Sequence, residues 1–130
     1  MIETQAPAFD SPGLVERLDI LTDAELDELD FGVIGFDAGG VVRRYNTFES
    51  RAAGLSSPRV VGHALFTVVA PCMNNYLVAQ RFEDTAAEGG TLDDTIDYVL
   101  TLRMRPIKVR LRLLAAPSAA HRYVLVQRSV

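Results

Sequence analysis

Two hydrophobic periods divide the chain, and they change at Leu29. Upstream, Leu21, Leu26 and Leu29 recur on one helical face behind Thr22-Asp23-Ala24-Glu25, which has the reciprocal capping-box pattern. Ser11-Pro12 predicts an earlier helix, with proline at the first helical position, where its missing N–H costs little. Residues 1–28 therefore read as an acidic two-helix cap whose apolar stripe is too small to fold alone. Downstream, Phe31-Gly-Val-Ile-Gly-Phe-Asp, Ala-Gly-Gly and Val41-Val-Arg-Arg-Tyr45 predict a β-hairpin whose glycines supply the positive φ of a tight connection. Asn46 caps a short helical piece. Gly54, Ser56-Ser57-Pro58 and Gly62 then break residues 46–71 into short helices and loops, a stretch able to wrap a ligand. Residues 74–88 carry a helical pattern through Tyr76, Leu77, Phe82 and Ala86, ending at Gly89-Gly90. Three strands follow, at roughly 91–103, 106–116 and 120–128, with turns at Arg105-Pro106 and Ala116-Pro117-Ser118. The sum is an α+β domain: a five-stranded antiparallel sheet with helices on one face, residues 29–130, preceded by the cap.

Composition narrows the function. At 130 residues, 48% hydrophobic and 23% charged, the chain is one domain with a sizeable core. A net charge of −4 leaves no basic footprint for nucleic acid or an anionic membrane surface. The single cysteine cannot close an internal disulfide and has no metal-ligand spacing around it, which points to a reducing compartment and no metal site. Residues 1–28 lack a basic segment followed by an apolar core, and no run approaches the ~20 apolar residues of a membrane span, so a cytoplasmic location is expected. His63 and His121 read as surface or loop histidines, Asp23 to Asp30 as a solvated helix face, and Gly39-Gly40 and Gly89-Gly90 as turns without the context of phosphate binding.

Two short segments carry chemistry. Val68-Val-Ala-Pro-Cys72 offers a thiol, and Arg44-Tyr-Asn-Thr-Phe-Glu49 offers a phenol and a carboxyl four residues apart. A thiolate takes an acyl group from an activated ester. A phenol and a neutral carboxylic acid can each donate a strong hydrogen bond to a buried anion. Taken singly, each residue has a plainer reading: a small buried hydrophobe, a strand-end tyrosine, a solvated helix glutamate.

Their joint pattern resembles the photoactive yellow protein family over nearly the whole chain. The matching words are Leu29-Asp30-Phe31-Gly32, Tyr45-Asn46, Glu49, Gly54, Val61-Gly62, Val69-Ala70-Pro71-Cys72, Met104, Pro106 and Lys108-Val109. The order of elements is likewise that of a PAS domain. The resemblance implies a blue-light receptor and not an enzyme. It implies 4-hydroxycinnamic acid (p-coumaric acid) attached covalently through a thioester to Cys72, with its phenolate held by Tyr45 and by Glu49 as a neutral donor. Ala53, Leu55, Leu65, Val69, Leu100 and Met104 are the other expected cofactor-binding residues. Isomerisation and proton transfer from Glu49 would leave an unpartnered carboxylate whose burial cost loosens the cap. An unidentified downstream signalling protein is expected to read that change, and a monomer or weak dimer is expected.

The chain departs from the family at three positions. Ala53 stands where many members have threonine, Leu55 where many have arginine, and Leu100 where many have an aromatic residue. Arg51 and Arg103 are candidates to replace the missing guanidinium. Two other readings compete: a non-photoactive PAS sensor or protein-interaction module with Cys72 unmodified, and a thiol hydrolase, for which no base beside Cys72 is evident.

Overall fold

The segments richest in leucine and β-branched residues pair into one antiparallel sheet in the computed structural model, which describes residues 6–101 and 105–128. The strands are β1 Gly32–Phe36, β2 Val42–Tyr45, β3 Leu92–Leu100, β4 Ile107–Ala115 and β5 Arg122–Gln127, in the order β2-β1-β5-β4-β3. The last strand therefore lies at the centre, between the first hairpin and the β3–β4 pair. Helices α1 Leu14–Ile20 and α2 Asp23–Leu26 precede the sheet. Between β2 and β3 run α3 Thr47–Ala53, α4 Ser57–Val60, a π turn at Leu65–Val69, a 3-10 turn at Pro71–Met73, and α5 Ala79–Glu88. This is the expected α+β PAS-type architecture.

The period of two along β5 assigns its side chains to two cores. Val124 and Val126 join Ile34, Phe36, Val42, Leu111 and Leu113 under the helical segment, where Leu65, Met73 and Phe82 pack. Tyr123 and Leu125 join Val33 and Leu114 on the opposite face. There the cap covers them with Phe9, Leu14, Leu18, Leu26 and Leu29. The cap is thus an outer layer of a three-layer arrangement with the sheet in the middle, and its small apolar stripe is completed by the sheet.

Two buried arginines fasten that layer. Arg44, on β2, donates to the carbonyl of Leu18 at 2.6 Å, to the carbonyl of Leu21, to the Tyr123 hydroxyl at 3.0 Å and to Asp23 at 3.1 Å. Arg112, on β4, donates to the carbonyls of Phe9 and Ser11 at 2.9 and 2.7 Å and makes a two-pronged pair with Asp93. These bonds satisfy cap carbonyls that would otherwise be buried or frayed.

Local chemistry shifts two helix starts. The Ser11 hydroxyl accepts from the Ala8 N–H at 2.8 Å, so Ser11-Pro12 closes a turn and α1 begins at Leu14, after Gly13 in a left-handed conformation. The side-chain oxygen of Asn75 accepts from the N–H groups of Leu77 and Val78 at 3.0 and 3.2 Å. That local bond competes with the helix, which starts only at Ala79 and leaves Tyr76 and Leu77 exposed. The capping box at Thr22 and Glu25, the Asn46 cap and the left-handed Gly89 C-cap are present as predicted. No helix among the described residues is long and apolar enough to cross a membrane, and no cluster of acidic, histidine and cysteine residues among them could hold a metal.

Candidate functional site

Asn46 organises the carboxyl side of the site. Its side-chain oxygen accepts from the N–H of Val33 at 2.9 Å and of Glu49 at 3.1 Å, while its amide donates to the carbonyls of Leu26 and Phe31, both at 3.0 Å. One buried side chain therefore caps α3, ties it to β1 and anchors the end of the cap. With α3 started there, Glu49 falls in its first turn and points at the sheet, where it is 1% exposed. The space it enters exists because residue 32 is glycine: a Cβ there would overlap the Glu49 carboxyl.

Both carboxyl oxygens of Glu49 accept from Arg128, Nη1 to Oε1 at 2.6 Å and Nη2 to Oε2 at 2.9 Å. Arg128 follows β5 on the face of Val124 and Val126, which brings it over α3. Burial pushes the Glu49 carboxyl above its ordinary value, and the Arg128 guanidinium pulls back against that shift. Tyr45 ends β2 half-buried on the same side. Its hydroxyl donates to the Leu55 carbonyl at 3.3 Å, an oxygen that also accepts from the Ser50 hydroxyl at 2.8 Å. Burial, with a smaller contribution from the negative charge of Glu49, raises the phenol well above its ordinary value, and Arg128 opposes it.

Cys72 sits half-buried in the 3-10 turn. The Tyr98 hydroxyl, on β3, donates to the Cys72 carbonyl at 2.6 Å and accepts from the Asn75 amide at 2.7 Å. That chain of bonds fixes the backbone that carries the thiol. Cys72, Tyr45, Leu55 and Val69 all pack on the core cluster that contains Leu65 and Leu100. Ala53 is buried at the end of α3. Met104 and Arg103 lie outside the described residues, and Arg51 is exposed on the outer side of α3. His63 is exposed as expected, whereas His121 is half-buried, 3.4 Å from Asp19.

Three contributors escaped the sequence reading: Arg128, Tyr98 and Asn75. The alternation along β5 carried a signal for Arg128, since residues 124, 126 and 128 share a face. Tyr98 and Asn75 meet across 23 residues of sequence, which no local pattern reports.

The donor set fits an acyl group with an anionic phenolic end. Cys72 offers a thiol, the group that takes an acyl chain, and Tyr45 and Glu49 offer a phenol and a carboxyl on the sheet face of Ile34 and Phe36. The Arg128 Nε–H, moreover, is buried with no acceptor among the described residues. A buried N–H without a partner is uncommon, and an anionic oxygen would satisfy it.

No protein-family model matches the chain. The photoactive yellow protein of Halochromatium salexigens is 32% identical over 120 residues, spanning 92% of this chain and 95% of that protein. The structure of the photoactive yellow protein domain from the sensor histidine kinase Ppr of Rhodospirillum centenum has a TM-score of 0.78 at 37% identity, covering 87% of this chain and 98% of that domain. The PAS domain of the RpfR quorum-sensing receptor of Cronobacter turicensis, in complex with BDSF, shares the fold at a TM-score of 0.60 and 14% identity, over 79% of this chain and 97% of that one.

Proposed function

The chain belongs to the photoactive yellow protein family, and on that premise we propose that it is a blue-light receptor carrying p-coumaric acid on Cys72 as a thioester. When bound, the group supplies a conjugated phenolate that absorbs light and isomerises. Cys72 provides the nucleophilic sulfur, and its turn is held by Tyr98 and Asn75, so the attachment point is fixed relative to the sheet. Tyr45 and Glu49 are the donors at the phenolic end. With the phenolate beside it Glu49 acts there as a neutral acid, favoured by its burial and by that neighbouring anion against the pull of Arg128. Ala53, Leu55, Leu65, Val69 and Leu100 surround the group, and Met104, outside the described residues, keeps only the role that the resemblance gives it. Light frees the proton held on the Glu49 carboxyl, and the cap of residues 1–28 loosens from the core of residues 29–130.

The observation that carries the reading is a half-buried thiol and a half-buried phenol packed on one core cluster, with a buried carboxyl against Gly32 held by a guanidinium whose Nε–H lacks an acceptor among the described residues. The cap suits a signalling role because it rests on one sheet face through side chains rather than through the strand ladder. A downstream protein that recognises the released cap or the face beneath it completes the proposal.

The decisive experiment is the visible spectrum of the purified protein after incubation with activated 4-hydroxycinnamic acid, beside a Cys72→Ala control. A blue-absorbing band that requires Cys72 and bleaches reversibly under light is the expected result. A folded protein that stays colourless would make this chain a PAS module with unmodified Cys72 and would remove the roles given to Tyr45 and Glu49.

A further inference from the structure

Building on that reading of the site, we infer that Arg128 is a positioning residue: it is the resident counter-ion for the ionised form of Glu49. The two carboxyl oxygens accept separately from the two terminal nitrogens, at 2.6 and 2.9 Å. A neutral acid keeps a hydrogen on one oxygen, which would face one of those N–H donors head-on, so the two-pronged geometry belongs to a carboxylate. The pair is well sheltered, with side-chain exposures of 15% for Arg128 and 2% for Glu49. Its place is set by the sheet. Gly32 pairs with Val126 in the β1–β5 ladder. The glycine opens the room for Glu49, and two residues beyond Val126 the chain presents Arg128 to it.

This changes what proton release leaves behind. When the Glu49 O–H bond breaks, the proton passes to the phenolate oxygen of the acyl group and the electron pair stays on Glu49. The guanidinium fork then meets that carboxylate, so the product is a paired charge and not an isolated one. The driving force for cap loosening is correspondingly smaller than a lone buried carboxylate would give, and the light-adapted form is longer-lived, because reprotonating Glu49 requires breaking the pair.

Two measurements test this. In protein purified without pigment, infrared spectra at pH 7 are compared with those of a Glu49→Gln background to isolate the Glu49 signal. The expected result is a carboxylate signal in the wild type, a protonated-acid C=O stretch in Arg128→Gln, and return of the carboxylate in Arg128→Lys. A protonated Glu49 in the wild type, or a carboxylate that persists in Arg128→Gln, overturns the inference. In pigmented protein, Arg128→Gln is expected to recover from a light flash at least tenfold faster than wild type, with Arg128→Lys close to wild type. Equal recovery in all three also overturns it. A wild-type protein that takes no pigment would refute the photoreceptor reading, while the infrared comparison still decides the Glu49–Arg128 pair.

Discussion

Replacing Arg44 by methionine should release the cap while leaving the sheet folded. Arg44 is 8% exposed and joins β2 to the cap through the carbonyls of Leu18 and Leu21, the Tyr123 hydroxyl and Asp23. Hydrogen bonds from a charged donor contribute about 1.5–3 kcal/mol each when lost singly. They do not add fully here. The Asp23 side chain is 84% exposed, so its share is small. The Leu18 carbonyl keeps the Leu21 N–H at 3.2 Å, and the Tyr123 hydroxyl still donates to Asp19 at 2.7 Å. A net loss of about 3 kcal/mol is therefore reasonable, at the lower end of the range for breaking a buried charged contact. That corresponds to roughly a hundredfold rise in the equilibrium constant for cap opening. The β1–β2 ladder uses backbone groups and is untouched. Hydrogen exchange resolved by peptide is the assay. Amides of residues 14–29 should exchange about a hundredfold faster in Arg44→Met, with those of β4 and β5 changed far less. Uniform acceleration across the chain would mean that cap and sheet unfold as one unit, and unchanged cap exchange would mean that apolar burial alone holds the cap. Either result removes Arg44 as the fastening of the cap.

Two further outcomes follow from the packing and the electrostatics. Gly32→Ala places a methyl against the Glu49 carboxyl. It should cost roughly 2–4 kcal/mol in urea denaturation, through overpacking and displacement of Glu49 from Arg128, and a loss under about 0.5 kcal/mol would show that α3 yields easily. Tyr123 is fully buried, and burial, with the Asp19 hydrogen bond, raises its hydroxyl well above the ordinary tyrosine value of 10.0. Above about pH 10 the unfolded chain loses this proton before the folded one, so stability is intact below that pH and falls by up to about 1.4 kcal/mol per pH unit above it. Denaturation midpoints between pH 9 and 12 should show a shallower decline in Tyr123→Phe, and an identical decline would assign the alkaline sensitivity to other groups.

Local rules reached far into this molecule because many of its elements are specified by neighbours in sequence. The capping box at Thr22, the Asn46 cap, the Gly89 C-cap and the leucine-rich and β-branched runs of the strands all act within a few residues, and each is present. Where a short side chain had two possible partners, the sequence could not choose. Ser11 turned back to Ala8 instead of capping α1, and Asn75 took the N–H groups of Leu77 and Val78 and delayed α5. The site divided the same way. The residue types of Tyr45, Glu49 and Cys72, and their resemblance to a known pattern, were visible along the chain. Their partners were not.

The chemistry on offer was legible along the chain: one thiol, a phenol and a carboxyl four residues apart, and a cap too small to stand alone. The partners of those groups came with the folded sheet. The pairing of Gly32 with Val126 carries Arg128 to Glu49 across 79 residues, and the central place of β5 gives the sheet two buried faces, one for the site and one for the cap. Charge pairing and burial depend on distance in space, not along the chain. Strand order and register set that distance, and they are fixed by the whole sheet together.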